Sequence, residues 1–216
     1  MVHTEPMESY RPVARLATVV KLLLALNVVG SLGAMASSAA QIDLLNRIES
    51  GEDVYADAVR GDRRQALVGV SGVVLYLVTA VAFVAWFKRA YDNVEAFGHS
   101  RDHGAGWAIG AWLVPILNLF RPIQIAREIW AKSTAEGLAD SHRVPGLFNA
   151  WWAAWIISRL VERIISGYSA SAAGVPELRL ATYGGILNSA LLLATACLAI
   201  AVVQAITSRQ ETAAGE

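Results

Sequence analysis

The chain is 216 residues long, 55% of them hydrophobic, with 18 basic residues balanced by 18 acidic ones and a mean hydropathy of +0.43. One membrane-embedded domain uses nearly all of that length. Zero net charge without a polybasic run excludes a global field that would recruit nucleic acid or anionic lipid. The one cysteine, Cys197, excludes an intramolecular disulfide, and its place in an apolar stretch reads as inert packing.

Five stretches, 22–42, 66–87, 104–120, 144–158 and 180–206, carry no charge and are mostly apolar. About 20 helical residues cross a ~30 Å hydrocarbon core, so three stretches are long enough and two, 104–120 and 144–158, are marginal. The expected fold class is all-α, a polytopic helical membrane protein. Residues 1–12, with Pro6 and Pro12, read as a frayed polar tail, 13–208 as one membrane domain and 209–216 as a second polar tail. Arg11, Arg15 and Lys21 precede the first apolar run, and Ala34-Met35-Ala36 imitates a cleavage site. The run continues uncharged to Ile42, which favours an uncleaved signal anchor over a removed signal peptide. Gly30, Ala34 and Ser38 share one face of this helix and Gly33 and Ser37 a neighbouring one; such spacing serves either dimerisation or packing against another span of the same chain.

Residues 41–65 keep helical spacing through Ile42, Leu45 and Ile48, break at Gly51 and restart after Ser50-x2-Asp53, which resembles a capping box. They are expected to form a solvated helical hairpin. The second span offers Gly69 and Gly72 for close approach and ends in an aromatic anchor followed by charge, Trp86-Phe87-Lys88-Arg89. The third segment has Pro115 within it and stops at Arg121-Pro122. Beyond it, Pro122, Ile125, Ala126, Ile129 and Trp130 share one face, while Arg121, Gln124, Arg127, Glu128 and Lys132 take the other. That pattern suits an amphipathic helix in the headgroup plane. The fourth segment begins after Pro145-Gly146, carries Trp151, Trp152 and Trp155, and turns charged at Arg159, Glu162 and Arg163, where Glu162 can pair with Arg159. A polar loop, 166–174, leads to the last span, with Gly184-Gly185 and Asn188-Ser189.

The positive-inside rule bears on the third segment. If it dips in and returns, with the N-terminus inside, eleven basic residues lie inside and five outside; if it crosses, seven face nine and the bias vanishes. The expectation is therefore four spanning helices, a Pro-broken re-entrant segment enclosed by the others, an interfacial amphipathic helix, and both termini cytoplasmic.

The run Trp107-x4-Trp112-x2-Pro115-x2-Asn118-x3-Pro122, followed by Arg127-Glu128 and Trp130, resembles a bacterial family catalogued as domain of unknown function 4328. Trp86-x2-Arg89-Ala-x2-Asn93 and the cluster around Asn149, Trp151, Trp152 and Trp155 fit too. The likeness is strongest from about residue 76 to 163. It implies a multi-span bacterial membrane protein and carries no activity or catalytic residue.

Chemistry-bearing patterns are sparse. His99-x3-His103, with Asp102 between, has metal-like spacing, but the surrounding Gly98, Gly104 and Gly106 argue for a loop and no third ligand is evident. His3 and His142 carry no partner signature. No nucleophile elbow, metalloprotease motif or phosphate loop occurs, and no apolar stretch holds His, Asp or Glu. The sequence thus leads us to expect no enzyme, catalytic residue, metal or cofactor. Two constellations merit weighing: Pro115 with Asn118, a broken-helix site or a satisfied kink, and Arg159–Glu162–Arg163, a functional or a snorkelling charge cluster. The expected function is an interaction or structural module of the bacterial plasma membrane. Its partners would be the lipid bilayer and a membrane protein or its own copies, with no nucleic acid. The alternative is a small permeation or lipid-binding protein using the re-entrant segment.

Overall fold

Long uncharged runs without proline leave the backbone no cheaper way to satisfy its N–H and C=O groups than a helix, and the computed structural model follows that logic. It describes residues 10–134 and 145–215, and among these every regular element is helical. The elements are α1 (Ala14–Glu49), α2 (Tyr55–Ala96), α3 (Trp107–Leu113), a 3-10 turn (Leu117–Leu119), α4 (Arg121–Lys132), α5 (Gly146–Ser169) and α6 (Val175–Gly215). His3 and His142 lie outside the described residues.

Among the described residues three helices, α1, α2 and α6, are long and apolar enough to cross a membrane. At 36, 42 and 41 residues they are about 54–63 Å long at 1.5 Å per residue, roughly twice a hydrocarbon core. The expected fourth span, α5, does not join them by composition, because Arg159, Glu162 and Arg163 interrupt its second half.

Two glycines with positive φ end helices here. Gly51, at φ 81°, lets the Glu52 N–H reach the Arg47 carbonyl at 3.2 Å and closes α1. Gly98, at φ 82°, does the same for α2 through His99 and Val94 at 3.3 Å. The expected capping box divides its labour: the Ser50 hydroxyl bonds back to the Arg47 carbonyl at 2.9 Å, and Asp53 alone caps α2, accepting from the Tyr55 N–H. Residues 41–65 comprise the end of α1, the turn at Gly51 and the start of α2. The expected 166–174 loop is shorter, since α5 continues to Ser169.

Where the sequence reads as one domain over 13–208, packing separates two compact units. The first comprises residues 1–22, 79–152 and 198–216, and the second 23–78 and 153–197. The first unit is packed on large side chains, with Trp86, Phe87, Tyr91, Ile125, Ile129, Phe148 and Ile206 fully or almost fully buried. The described parts of both expected tails, residues 10–12 and 209–215, are held by packing and hydrogen bonds within it. Arg11 exchanges two hydrogen bonds with the Asn93 side chain, 3.0 and 2.9 Å, and residues 209–215 continue α6, with Gln210 fully buried.

The second unit is packed on small residues. Gly30 lies against Leu75, Gly185 against Ser38, and Gly184 against Ile165. The Ser37 hydroxyl accepts from Arg64 at 3.1 Å. Gly30, Ser37 and Ser38 of α1 thus make contacts within the chain, whereas a Cβ added at Gly33 would meet nothing within 4 Å. Cys197, expected to be packed, is exposed on α6.

Candidate functional site

The candidates between 107 and 130 belong to the first unit, and those at 159–163 to the second. In the first unit the broken segment and α4 are set by two prolines. Pro115 withholds an N–H, and the chain leaves helical geometry at Val114, ψ 114°. Pro122 opens α4, where a missing donor costs nothing. The break is partly self-satisfied: the Asn118 N–H bonds the Val114 carbonyl at 2.8 Å, and Trp152 Nε1 donates to the Leu119 carbonyl at 2.9 Å. The Asn118 Oδ1 is buried with no hydrogen-bond partner among the described residues.

The segment is not enclosed as expected. Leu113, Ile116 and Leu119 are 76%, 72% and 56% exposed. A seven-residue helix followed, beyond the Pro115 break, by a three-residue 3-10 turn is too short to turn all its apolar side chains inward. Only Ala108 and Ala111 of α3 are buried, while Trp112 enters an aromatic cluster with Phe83, Phe87 and Trp152 at centroid distances of 5.6, 5.7 and 6.0 Å.

Glu128 is a further correction. The helical pattern places it among water-facing residues, yet its side chain is 4% exposed. The carboxylate accepts from the Tyr91 hydroxyl at 3.0 Å, the Asp102 backbone N–H at 2.6 Å and Lys132 at 3.3 Å. A buried carboxylate is tolerable only when paired and hydrogen-bonded in this way. Lys132 also meets the Asp102 carboxylate at 2.6 Å and the Ser100 carbonyl at 2.7 Å. Burial disfavours its charge, but the Asp102 and Glu128 carboxylates outweigh that and hold it above the ordinary lysine value. The cluster fastens the loop between α2 and α3 to α4.

His99 and His103 do lie in that loop and take separate partners. His99 Nε2 meets the Thr134 carbonyl at 3.2 Å, and His103 Nε2 meets Arg121 at 2.8 Å. Arg121 also sits 5.9 Å over the half-exposed Trp107 ring. Arg127, on the exposed side of α4, bonds Asn149 at 2.5 Å. The Trp130 ring packs against Phe148 at 5.6 Å and lies under the Arg209 guanidinium at 4.3 Å.

A second polar chain runs beside the first. Gln210 donates to the Ala90 carbonyl and the Ser133 hydroxyl, at 2.8 and 2.9 Å, and accepts from Asn93 at 3.1 Å. Trp86 Nε1 donates to Thr207 at 3.3 Å. The sequence reading missed Tyr91, Lys132, Ser133 and Gln210 as members of these networks. Tyr91 sits inside the motif from Trp86 to Asn93, a signal that was there to use, whereas Gln210 has no signal in what reads as a tail. In the second unit, Arg159 pairs with Glu162 at 2.9 Å as expected and lies 5.1 Å over the Tyr76 ring, while Arg163 is exposed.

The broken segment and most of these networks fall within a stretch that a family model recognises: the model described as Domain of unknown function (DUF4328) matches residues 51–208. The chain belongs to this family. The DUF4328 region takes in α2 through most of α6, including Tyr91, the break and Glu128, and stops two residues before Gln210. No curated protein and no solved structure matches the chain.

Proposed function

We propose that this DUF4328 protein is a multi-pass protein of the bacterial plasma membrane, acting as a non-enzymatic interaction or structural module that binds another membrane protein or copies of itself. The supporting observation is where the apolar side chains point. In the apolar windows of α1, α2 and α6 only 17%, 11% and 33% of residues are buried, and Leu22, Leu26, Val70, Leu77 and Val81 are exposed. Such faces suit lipid and neighbouring helices. The Glu128 cluster, by contrast, is engaged in its own hydrogen bonds, a positioning role rather than a chemical one.

On this reading α5 is the fourth span, with Arg159 and Arg163 snorkelling toward the interface, and both termini are cytoplasmic. The broken segment makes a shallow re-entrant dip, its exposed Leu113, Ile116 and Leu119 in the acyl region.

The test replaces Cys197 and introduces single cysteines. A cysteine at Tyr55, which is 80% exposed, reacts with an impermeant reagent from outside intact cells; labelling only after lysis reverses the orientation. A cysteine at Gly72, where an added Cβ meets nothing within 4 Å, cross-links in native membranes to a second copy or another membrane protein. A monomer at every expression level overturns the interaction reading.

The unpartnered Asn118 Oδ1 beside the Pro115 break favours a second reading, permeation or lipid handling through the broken segment. Under it, Asn118→Ala and Arg159→Ala abolish flux or lipid binding in proteoliposomes; unchanged behaviour supports the first.

A further inference from the structure

We propose that a hollow in the second unit, between the end of α1 and the first turns of α6, binds the headgroup of a zwitterionic phospholipid that carries a primary ammonium. Its volume is about 260 Å³, and it is lined by Glu49, Pro176, Arg179, Leu180 and Tyr183. All of these belong to that unit. The lining holds one charge of each sign, Glu49 and Arg179. A lone anion is repelled by the first and a lone cation by the second. A guest bearing both charges is met by both.

The pair is open to such a guest. Arg179 Nη2 donates to Glu49 Oε2 at 2.8 Å in a single contact rather than a bidentate fork. The second carboxylate oxygen and the other terminal nitrogen thus keep no partner among the described residues. The Arg179 and Glu49 side chains are 29% and 47% exposed, which leaves them reachable and makes their own bond a weak competitor. Arg179 can donate to phosphate oxygens, and Glu49 can accept from an ammonium.

The face of α6 below the pair matches the rest of a phospholipid. Arg179 is the last charge before the uncharged run that begins at Leu180. Tyr183 and Leu187 follow on the same helical face, each step of four residues reaching about 6 Å deeper. They are 52% and 56% exposed. Charge, amphipathic ring and hydrocarbon succeed one another in the order of phosphate, glycerol ester and acyl chain. A soluble zwitterion would leave Tyr183 and Leu187 uncovered, which assigns the guest to the bilayer. The inference rests on the membrane placement proposed above and not on a protein partner. Labelling at Tyr55 reads the placement, cross-linking at Gly72 the partner, and lipid preference the hollow.

The test measures the melting temperature of the full chain in nonionic detergent with phosphatidylethanolamine, phosphatidylcholine, phosphatidylglycerol or soluble phosphoethanolamine added. Phosphatidylethanolamine is expected to raise it most. Phosphatidylcholine has no ammonium N–H for Glu49, and phosphatidylglycerol has no cation, so both should protect less. Glu49→Gln should weaken the apparent affinity for phosphatidylethanolamine about tenfold and turn the preference toward phosphatidylglycerol. Exchanging the charges, Glu49→Arg with Arg179→Glu, keeps an ion pair between α1 and α6. It should still abolish the preference, because the headgroup then meets its charges in the wrong order. Arg63→Gln, at an exposed position, should change nothing. No preference for phosphatidylethanolamine in the wild type, or one that survives both Glu49→Gln and the exchange, overturns the proposal. Equal protection by soluble phosphoethanolamine overturns the assignment to a lipid.

Discussion

The two packed units hold their helices together by different means. In the first, Trp86, Phe87, Tyr91, Phe148, Ile125 and Ile129 are almost wholly hidden, and buried polar groups such as Glu128, Asn93 and Gln210 are cross-linked by hydrogen bonds. In the second, Leu45 is the one large side chain buried to that degree, and contact comes through Gly30, Gly184, Gly185 and Ser38. The difference teaches where each force operates. Helices flanked by hydrocarbon gain little by hiding Leu or Val from it, so close backbone approach and dispersion must do the holding. Where large side chains are hidden together with paired polar groups, apolar burial and hydrogen bonding hold the helices jointly.

That contrast can be broken most severely at Glu128. Glu128→Ala leaves the Tyr91 hydroxyl, the Asp102 N–H and Lys132 without their shared acceptor and should cost about 3 kcal/mol or more. The measurement is the thermal unfolding of the purified protein; an unchanged melting temperature would mean that the cluster is not what ties the loop to α4. A smaller effect is expected in the second unit. A Cβ at Gly184 would fall 2.9 Å from Ile165 Cγ1, so Gly184→Val should destabilise by about 1–3 kcal/mol through overpacking. Because the clash is steric, neither salt nor pH should alter that loss, and a strong dependence on either would refute the small-residue account.

The finest distinction is a pH one. Lys132 carries a raised folded-state value, so its charge contributes fully below the ordinary lysine value of 10.5 and that contribution fades as pH rises through the higher one. The melting temperatures of wild type and Lys132→Met should therefore differ constantly near neutrality and converge only in strongly alkaline solution. Convergence below pH 9 would assign the stabilisation to another group.

Much of the scaffold was legible in residue order. Charge-free runs located α1, α2 and α6, Gly51 placed the hairpin turn, and Pro115 and Pro122 marked the break and the start of α4, because these signals act through the local backbone. The run from Trp107 to Trp130 also sufficed to indicate the family. The site was less legible. Helical periodicity assigned Glu128 to water, since a face counts as polar by its own residues and not by what packs on it. Residues 209–215 looked like a tail because nothing nearby shows that Asn93, Ala90 and Ser133 wait to receive Gln210. The exposure of Leu113, Ile116 and Leu119 was equally hidden, for enclosure depends on neighbours far along the chain.

Sequence alone thus determined the long helices, the turn at Gly51, the break at Pro115 and the apolar lengths, all consequences of hydrogen bonding and hydrophobicity within a few turns. Tertiary structure alone decided which polar groups are buried and which apolar ones are left outside. A carboxylate such as Glu128 can leave water only when Tyr91, the Asp102 N–H and Lys132 converge on it from three separate segments.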